Sequence, residues 1–189
     1  DLDKRNQRYQ TTDGYRSRFS QNIPMISDDY AFLNSYDYTT FNQFGDMVTR
    51  FAFLARTINS MNGEDVRISK RLYIPTKRLR GFESGRIGPT DGGDYIGGNH
   101  TAVINASTTL PDFGANLEKV DFQLFIDAAN VWGVDYDSSL DNSTIRSSTG
   151  LSVDWYTPIG PLNFSFAQPL SKASSDKTET FRFNIGTTF

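Results

Sequence analysis

The sequence predicts an all-β protein, built as a transmembrane antiparallel β-barrel. Three observations support this prediction. Apolar and polar residues alternate with a period of two in many segments, which is typical of strands. The polar positions of these segments carry full charges, while the apolar positions are rich in aromatic residues near the strand ends, as in the interfacial girdles of membrane barrels. The segments are also long enough for the roughly 9–11 tilted residues that cross a bilayer.

The first half of the chain contains about four predicted strands. In "GYRSRFSQNI", within the predicted strand 11–24, apolar residues oppose Arg16 and Arg18. Strands are also predicted over 28–41 and, from "MVTRFAFLARTI", over 46–58. A further strand is expected at 96–110, after a long connection.

The second half of the chain alternates more regularly. "KVDFQLFIDAANVW" predicts a strand over 119–132, with Asp121 and Asp127 on its polar side. "TIRSSTGLSVDWY" and "PLNFSFAQP" predict strands over 145–157 and 160–169, and the last strand is expected at 179–189. Short connections such as "TPIGP" alternate with longer ones such as "GVDYDSSLDNST", as in a barrel with short turns on one side and long loops on the other.

Composition limits the function. The chain has 189 residues, enough for one domain, and its formal net charge is −3, so nothing suggests a nucleic-acid partner. It contains no cysteine, and His100 is its only histidine, so no thiol chemistry and no metal site or other cofactor are expected. It opens on "DLDKRNQRYQ" without a charged-then-apolar signal segment, which predicts either a cytosolic protein or a mature or truncated piece of a longer one.

The alternation is also compatible with a soluble antiparallel sandwich or barrel, in which one strand face packs on a core and the other meets water. The mean hydropathy of −0.48 favours this alternative. Membrane strands, however, carry only alternate apolar residues and give a weak hydropathy signal. Full charges on one face and aromatic residues on the other favour lipid contact.

Five motifs resemble one protein family. In order they are "LRGFESGRIGP" (79–89), "DYIGGN" (94–99), "FIDAANVW" (125–132), "SSTGLSVDWYTPIGPLNFSFAQPL" (147–170) and "FRFNIGTTF" (181–189). Their order and spacing resemble the carboxyl half of the barrel of the BamA family, the central subunits of the bacterial outer-membrane barrel-assembly machine. The resemblance extends upstream to "LDKRNQRYQTTDG" (2–14) and covers nearly the whole chain.

The resemblance implies the last eight strands of a barrel of about sixteen, with residues 1–189 lacking the periplasmic domains. It implies an insertase that folds and inserts β-barrel proteins into the bacterial outer membrane through a lateral gate, without enzyme chemistry. The implied partners are nascent outer-membrane proteins, accessory assembly lipoproteins, periplasmic chaperones and the lipid bilayer.

The connection at 59–95 is implied to fold back into the barrel lumen. Its core motif is Arg80, Gly81 and Phe82, and the family's arginine contacts acidic groups on the inner wall. Asp127 has the inward parity of its strand, so it is the expected partner of Arg80. An arginine–carboxylate pair can be bidentate and fixes geometry well.

Two departures from the family weaken this expectation. Ser107 occupies a position where family members often have glutamate, and it would offer Arg80 only a weaker hydrogen bond. Ala129 replaces the glycine usual two residues after the aspartate. Glu83, next to the motif, could also compete for the arginine.

The closing strand carries the second set of expected site residues. Phe181, Phe183, Ile185 and the final Phe189 would face lipid and resemble the β-signal by which outer-membrane barrels are recognised for assembly. Gly186 interrupts the strand; a glycine there offers no side chain to pack and permits a kink or bulge. In the family the matching glycine marks where the last strand bends inward, and we expect Gly186 to weaken the seam between the last and first strands. The alternatives are a glycine that relieves crowding and an ordinary lipid-facing strand.

Other functions also fit parts of the pattern. A related outer-membrane translocation pore shares the Arg-Gly-Phe loop, and a self-contained eight-stranded barrel could close, although side chains would then fill its interior. An outer-membrane enzyme would need a base beside a nucleophile, and His100 has no nucleophile motif near it. Asp121, Asp127 and Asp154 share the inward parity, but charged lumen walls are common in barrels.

Overall fold

The computed structural model describes residues 1–24, 30–111, 119–158 and 160–185. Its strands, in chain order, are β1 (Leu2–Asp3), β2 (Gly14–Asn22), β3 (Ala31–Phe44), β4 (Met47–Ser60), β5 (Thr90–Asp91), β6 (Asp94–Tyr95), β7 (His100–Thr109), β8 (Val120–Trp132), β9 (Arg146–Thr157), β10 (Gly160–Ser171) and β11 (Phe181–Ile185). Nine of these form one antiparallel sheet in the order β1-β2-β3-β4-β7-β8-β9-β10-β11. β5 and β6 form a separate hairpin.

Each of the predicted long strands corresponds to a strand of this sheet, which confirms the all-β antiparallel prediction. The residues that the structure describes include three 3₁₀ turns, Ile68–Lys70, Thr76–Arg78 and Ser138–Leu140. Among the residues that the structure describes, no helix is long and apolar enough to cross a membrane. β1 and β11 lie at opposite edges of the sheet.

The two faces of the sheet have opposite character. One face is apolar and exposed, and its members include Phe19, Phe51, Ile104, Leu124, Ile126, Trp155 and Phe166. The other face buries polar side chains, namely Thr101, Asn105, Asp127, Arg146, Ser148, Ser152, Asp154, Asn163, Ser165 and Arg182. A soluble sandwich would bury its apolar side chains and expose its polar ones. The observed distribution is that of a membrane barrel, with lipid outside and a polar interior.

The long connection between β4 and β7 covers the polar face. Its apolar side chains form a small core with wall residues of β4, β7 and β8. The members of this core are Leu54, Ile74, Leu79, Phe82, Ile87, Val103, Ala129 and Val131. The connection, residues 61–99, is called the lumenal loop below, because it covers the face that the sequence analysis predicts to line the barrel lumen. Burial of these apolar side chains stabilises the loop against the wall. Polar contacts around this core fix the loop in one position.

Candidate functional site

The loop motif is attached to β8 through a buried ion pair, which we call the loop latch. The Arg80 guanidinium donates from Nε and Nη2 to the two carboxylate oxygens of Asp127, each at 2.7 Å. The Arg80 backbone N–H also donates to Asp127 Oδ2, at 3.2 Å. Side chain and backbone therefore fix the motif to one carboxylate in the bidentate geometry that makes such pairs specific.

The latch is almost completely buried. Asp127 is 0% exposed and Arg80 is 8% exposed. The sheet register places Asn105 and Ser148 on either side of Asp127. Asn105 donates to Asp127 Oδ1 at 2.8 Å, and the Ser148 hydroxyl donates to the Arg80 carbonyl at 2.5 Å. The guanidinium carbon also lies 3.4 Å from the centre of the Phe125 ring, close enough for a cation–π contact.

Gly81 and Phe82 explain the rest of the motif. Gly81 has a φ of +87°, and a Cβ there would lie 3.1 Å from Ala167 Cβ and 3.3 Å from Ser148 Cβ. Left-handed backbone and close approach to the wall both favour glycine. Phe82 is 1% exposed and contributes to the core under the loop. The three residues thus supply the ion pair, the turn and the apolar anchor.

The positions that depart from the family pattern have other surroundings. Ser107 lies opposite Phe125, and its hydroxyl forms no hydrogen bond with Arg80, because the register sets Asn105 and not Ser107 beside Asp127. Ala129 is 3% exposed and packs in the core under the loop. Glu83 is exposed and forms no ion pair with Arg80.

The Gly-Gly-Asn block holds the end of the loop. The amide of Asn99 donates to Asp135 Oδ2 at 2.9 Å, and Asp135 also pairs with Arg71 and accepts from the Val66 N–H at 2.7 Å. Partial burial disfavours the charged form of Asp135, but these hydrogen bonds and Arg71 outweigh it and lower its pKa below the ordinary 3.8. At Gly98 a Cβ would lie 2.3 Å from the Trp132 carbonyl oxygen, so only glycine fits.

A third ion pair lies beyond the loop and was not predicted. Arg146 on β9 pairs with Asp176 at 2.9 Å and 3.1 Å, and both side chains are 0% exposed. Arg146 also donates to Asn130 Oδ1 at 2.7 Å. Asp176 accepts from the N–H groups of Ala173 at 2.6 Å and Gly88 at 3.4 Å. This pair fixes the connection between β10 and β11 to the wall and to the loop.

The closing strand has the predicted outward parity over its described part. Phe181, Phe183 and Ile185 are 49%, 46% and 69% exposed. Phe183 and Phe181 pair with Phe164 and Phe166 of β10, each with ring centroids 5.0 Å apart. Gly186 and Phe189 lie outside the described residues.

His100 and Asp154, which were considered for catalysis, contact neighbouring wall residues. His100 Nδ1 lies 2.9 Å from the Thr57 hydroxyl, and its ring packs on Trp132 with centroids 5.7 Å apart. Asp154 accepts hydrogen bonds from Asn163 at 2.6 Å and Gln123 at 2.7 Å. Within the described ranges, no group of three His, Cys, Asp or Glu side chains is placed to hold a metal.

Sequence reasoning missed four contributors to the site. Asn105 flanks the latch, Arg71 pairs with Asp135, and Arg146 pairs with Asp176. Arg182 on β11 donates to loop carbonyls. Arg146 and Arg182 occupy polar positions of their alternating segments, so parity alone places them on the inner wall. Parity could not identify their partners, because Asp176 and the loop carbonyls lie outside regular strands.

Comparison with known proteins identifies the family. Residues 1–189 match the Omp85 superfamily domain over their full length. The chain belongs to the Omp85 superfamily. Among curated members, the chain is similar to BamA of Neisseria meningitidis, with 34% identity over 139 residues, which is 59% of this chain and 17% of that protein. It is also similar to BamA of Neorickettsia risticii, with 27% identity over 183 residues, 93% of this chain and 24% of that protein.

The fold agrees with the sequence similarity. The crystal structure of Haemophilus ducreyi BamA lacking POTRA domains 1–3 matches with a TM-score of 0.86 and 25% identity. This match covers 96% of this chain and 40% of that one. The resemblance to the carboxyl-terminal part of a BamA barrel and the predicted transmembrane β-barrel fold are therefore confirmed; the total of about sixteen strands stays an inference.

Two consequences follow for this Omp85 chain. It spans about a quarter or less of the length of the curated relatives it matches. Its superfamily, its barrel fold and its bacterial BamA relatives place it in the bacterial outer membrane.

Proposed function

We propose that this chain forms the closing part of the barrel of an outer-membrane insertase, which folds β-barrel proteins and inserts them through a lateral gate. The substrates are nascent outer-membrane proteins. Accessory assembly lipoproteins and periplasmic chaperones deliver or help to process them. The lumenal loop, held by Arg80 and Asp127, fills the interior beside the gate.

The observation that carries this proposal is the extent of the similarity to BamA. The sequence match covers 93% of the chain and the structural match covers 96%, so both must include most of the loop and of the wall. A fold alone would not specify function, since one barrel architecture hosts several activities. The buried pair of Arg80 and Asp127 supports the proposal further, because it gives the loop one defined attachment to the polar face.

We assign the proposed gate to β11, as the resemblance to the BamA family implies. An open strand edge in lipid leaves unpaired backbone groups, each costing several kcal/mol, so barrels normally close. An insertase needs a seam that is cheap to open, where a client strand can pair by β-augmentation. Gly186, in the predicted closing strand, would weaken that seam.

The test is a reversible cross-link in the full-length protein. Cysteines replace Asn184 of β11 and a facing residue on the first strand of the barrel, and insertion of a client into proteoliposomes is followed by protease protection. We expect the oxidised protein to lose insertion and the reduced protein to regain it. Each single-cysteine variant is the control. Full activity with the cross-link formed would exclude opening at this seam.

The translocation pore makes a different prediction. A pore plugged by the loop should gain a large ion conductance when residues 61–99 are replaced by a short linker. Its transport activity should be unaffected by the cross-link at the seam.

We also propose that the chain carries out no bond-making chemistry. The surroundings of His100 support this proposal, because its Nδ1 is hydrogen-bonded to the Thr57 hydroxyl and its ring packs on Trp132. His100→Gln should therefore leave insertion unchanged.

A further inference from the structure

We propose that Arg182 is a positioning residue that joins the lumenal loop to the closing strand, so that the loop motif and β11 are displaced together. This inference rests on the proposed function only for its importance to the gate. The physical coupling itself concerns two parts of this chain.

Arg182 connects the inner face of β11 to the loop motif. Its side chain is 8% exposed. Its guanidinium donates to the carbonyls of Thr76, Leu79 and Phe82, and its Nε donates to Glu179. The three carbonyls lie on both sides of Arg80 in sequence. One cation of the closing strand therefore binds the same short stretch of backbone that the latch fixes to β8.

A short backbone ladder reinforces this contact. The Glu83 N–H donates to the Lys177 carbonyl and the Lys177 N–H donates to the Arg86 carbonyl, both at 3.0 Å. The Glu179 N–H donates to the Gly81 carbonyl at 3.1 Å. Phe82 and Thr178 form the antiparallel bridge between them. The loop motif thus pairs, as a strand would, with the segment that leads into β11.

The geometry predicts that the two parts affect each other. If the loop leaves its place, the Arg182 guanidinium loses three carbonyl acceptors while its stem remains on the polar face of the sheet. Removing acceptors from a buried charged donor is costly. A free-energy coupling of this kind is reciprocal, so loosening β11 must also loosen the loop. β10, the neighbour of β11 in the sheet, still pairs with it at five positions, from Leu162–Ile185 to Phe166–Phe181. The contact with the loop therefore adds to the stability of β11 without being its sole support.

The test measures amide hydrogen exchange of Phe181–Ile185 in the full-length protein in lipid nanodiscs. Asp127→Ala releases the latch at a distance from β11, and we expect it to speed exchange in β11 by about tenfold. In the reverse direction, Arg182→Gln should speed thiol labelling of an Ile87→Cys reporter in the loop by about tenfold. Arg18→Gln, which removes an arginine whose side chain is 52% exposed on β2, should change neither.

The proposal is overturned if Asp127→Ala frees the loop reporter while β11 exchange stays at its original rate. Arg182→Lys provides a milder variant should the other substitutions prevent folding. It keeps the charge but cannot reach three carbonyls with a planar fork, so unchanged loop labelling in this variant also refutes the coupling. Neither readout requires a client. Coupling without insertion would therefore refute the proposed function alone, and insertion without coupling would refute this inference alone.

Discussion

Asp127→Ala is the most direct perturbation of the loop latch. Asp127 accepts from the Arg80 backbone and guanidinium and from Asn105, and it is fully buried. The substitution leaves the Arg80 cation without its carboxylate in a buried site. Removal of one partner from a buried pair costs about 3–5 kcal/mol. With about 1.4 kcal/mol per tenfold change, the population with the loop released should rise about 100- to 4,000-fold.

The assay is thiol labelling of an Ile87→Cys reporter in the full-length protein. Ile87 is 4% exposed and lies in the core under the loop, so its label reports release of the loop rather than loss of the pair itself. These 189 residues contain no cysteine, and any cysteine elsewhere in the full-length protein is first replaced by serine. The labelling rate, under conditions where loop closing is faster than labelling, is proportional to the released population.

Asp37→Ala is the matched control. Asp37 also pairs with a loop arginine, Arg78, but their side chains are 33% and 15% exposed. Solvent screens such a pair, which contributes about 0–1 kcal/mol, so labelling should rise by about fivefold at most. If Asp127→Ala accelerates labelling no more than Asp37→Ala does, the latch does not hold the loop and the reasoning from burial is wrong.

Three further predictions concern the same loop. Phe82→Ala removes a fully buried ring from the core, so it should destabilise the loop by about 3–5 kcal/mol; Phe82→Leu should cost clearly less in the same labelling assay. Gly81→Ala requires an unfavourable left-handed residue, at about 1–2 kcal/mol, and crowds Ala167; labelling indistinguishable from that of the parent protein would contradict the turn assignment. Acid should release the Asp135 anchor: its lowered pKa means that the stabilisation is complete above 3.8 and is lost as the pH falls through the folded-state pKa. A fluorescent label at Asp65→Cys should report this acid transition, and Asp135→Asn should abolish it.

Local periodicity predicted the strands well because side-chain alternation is a property of neighbouring residues. The strand predicted at 119–132 is observed as Val120–Trp132, and that at 145–157 as Arg146–Thr157. The strand predicted at 28–41 is observed as Ala31–Phe44. Its end was missed because it continues to a tight turn at Gly45, whose φ is +60°.

The site was only partly predictable, for a different physical reason. The inward parity of Asp127 and the loop motif indicated one ion pair. The remaining contacts join residues far apart in sequence through irregular backbone, as Arg146 with Asp176 and Arg182 with the Thr76 carbonyl. Cross-strand register decided that Asn105 and not Ser107 flanks Asp127. No pattern within one segment contains that information.

The lumenal loop is fastened at successive points along its length. Arg71 pairs with Asp135, Arg80 pairs with Asp127, and the Gly88 N–H donates to Asp176. A force applied at one end would therefore load the nearest fastening first, and the others would bear it only after that one had failed. The loop should therefore detach from the wall in separate steps, one contact after another, instead of moving as a rigid lid. A small displacement could then be absorbed at one end while the middle of the loop stays seated.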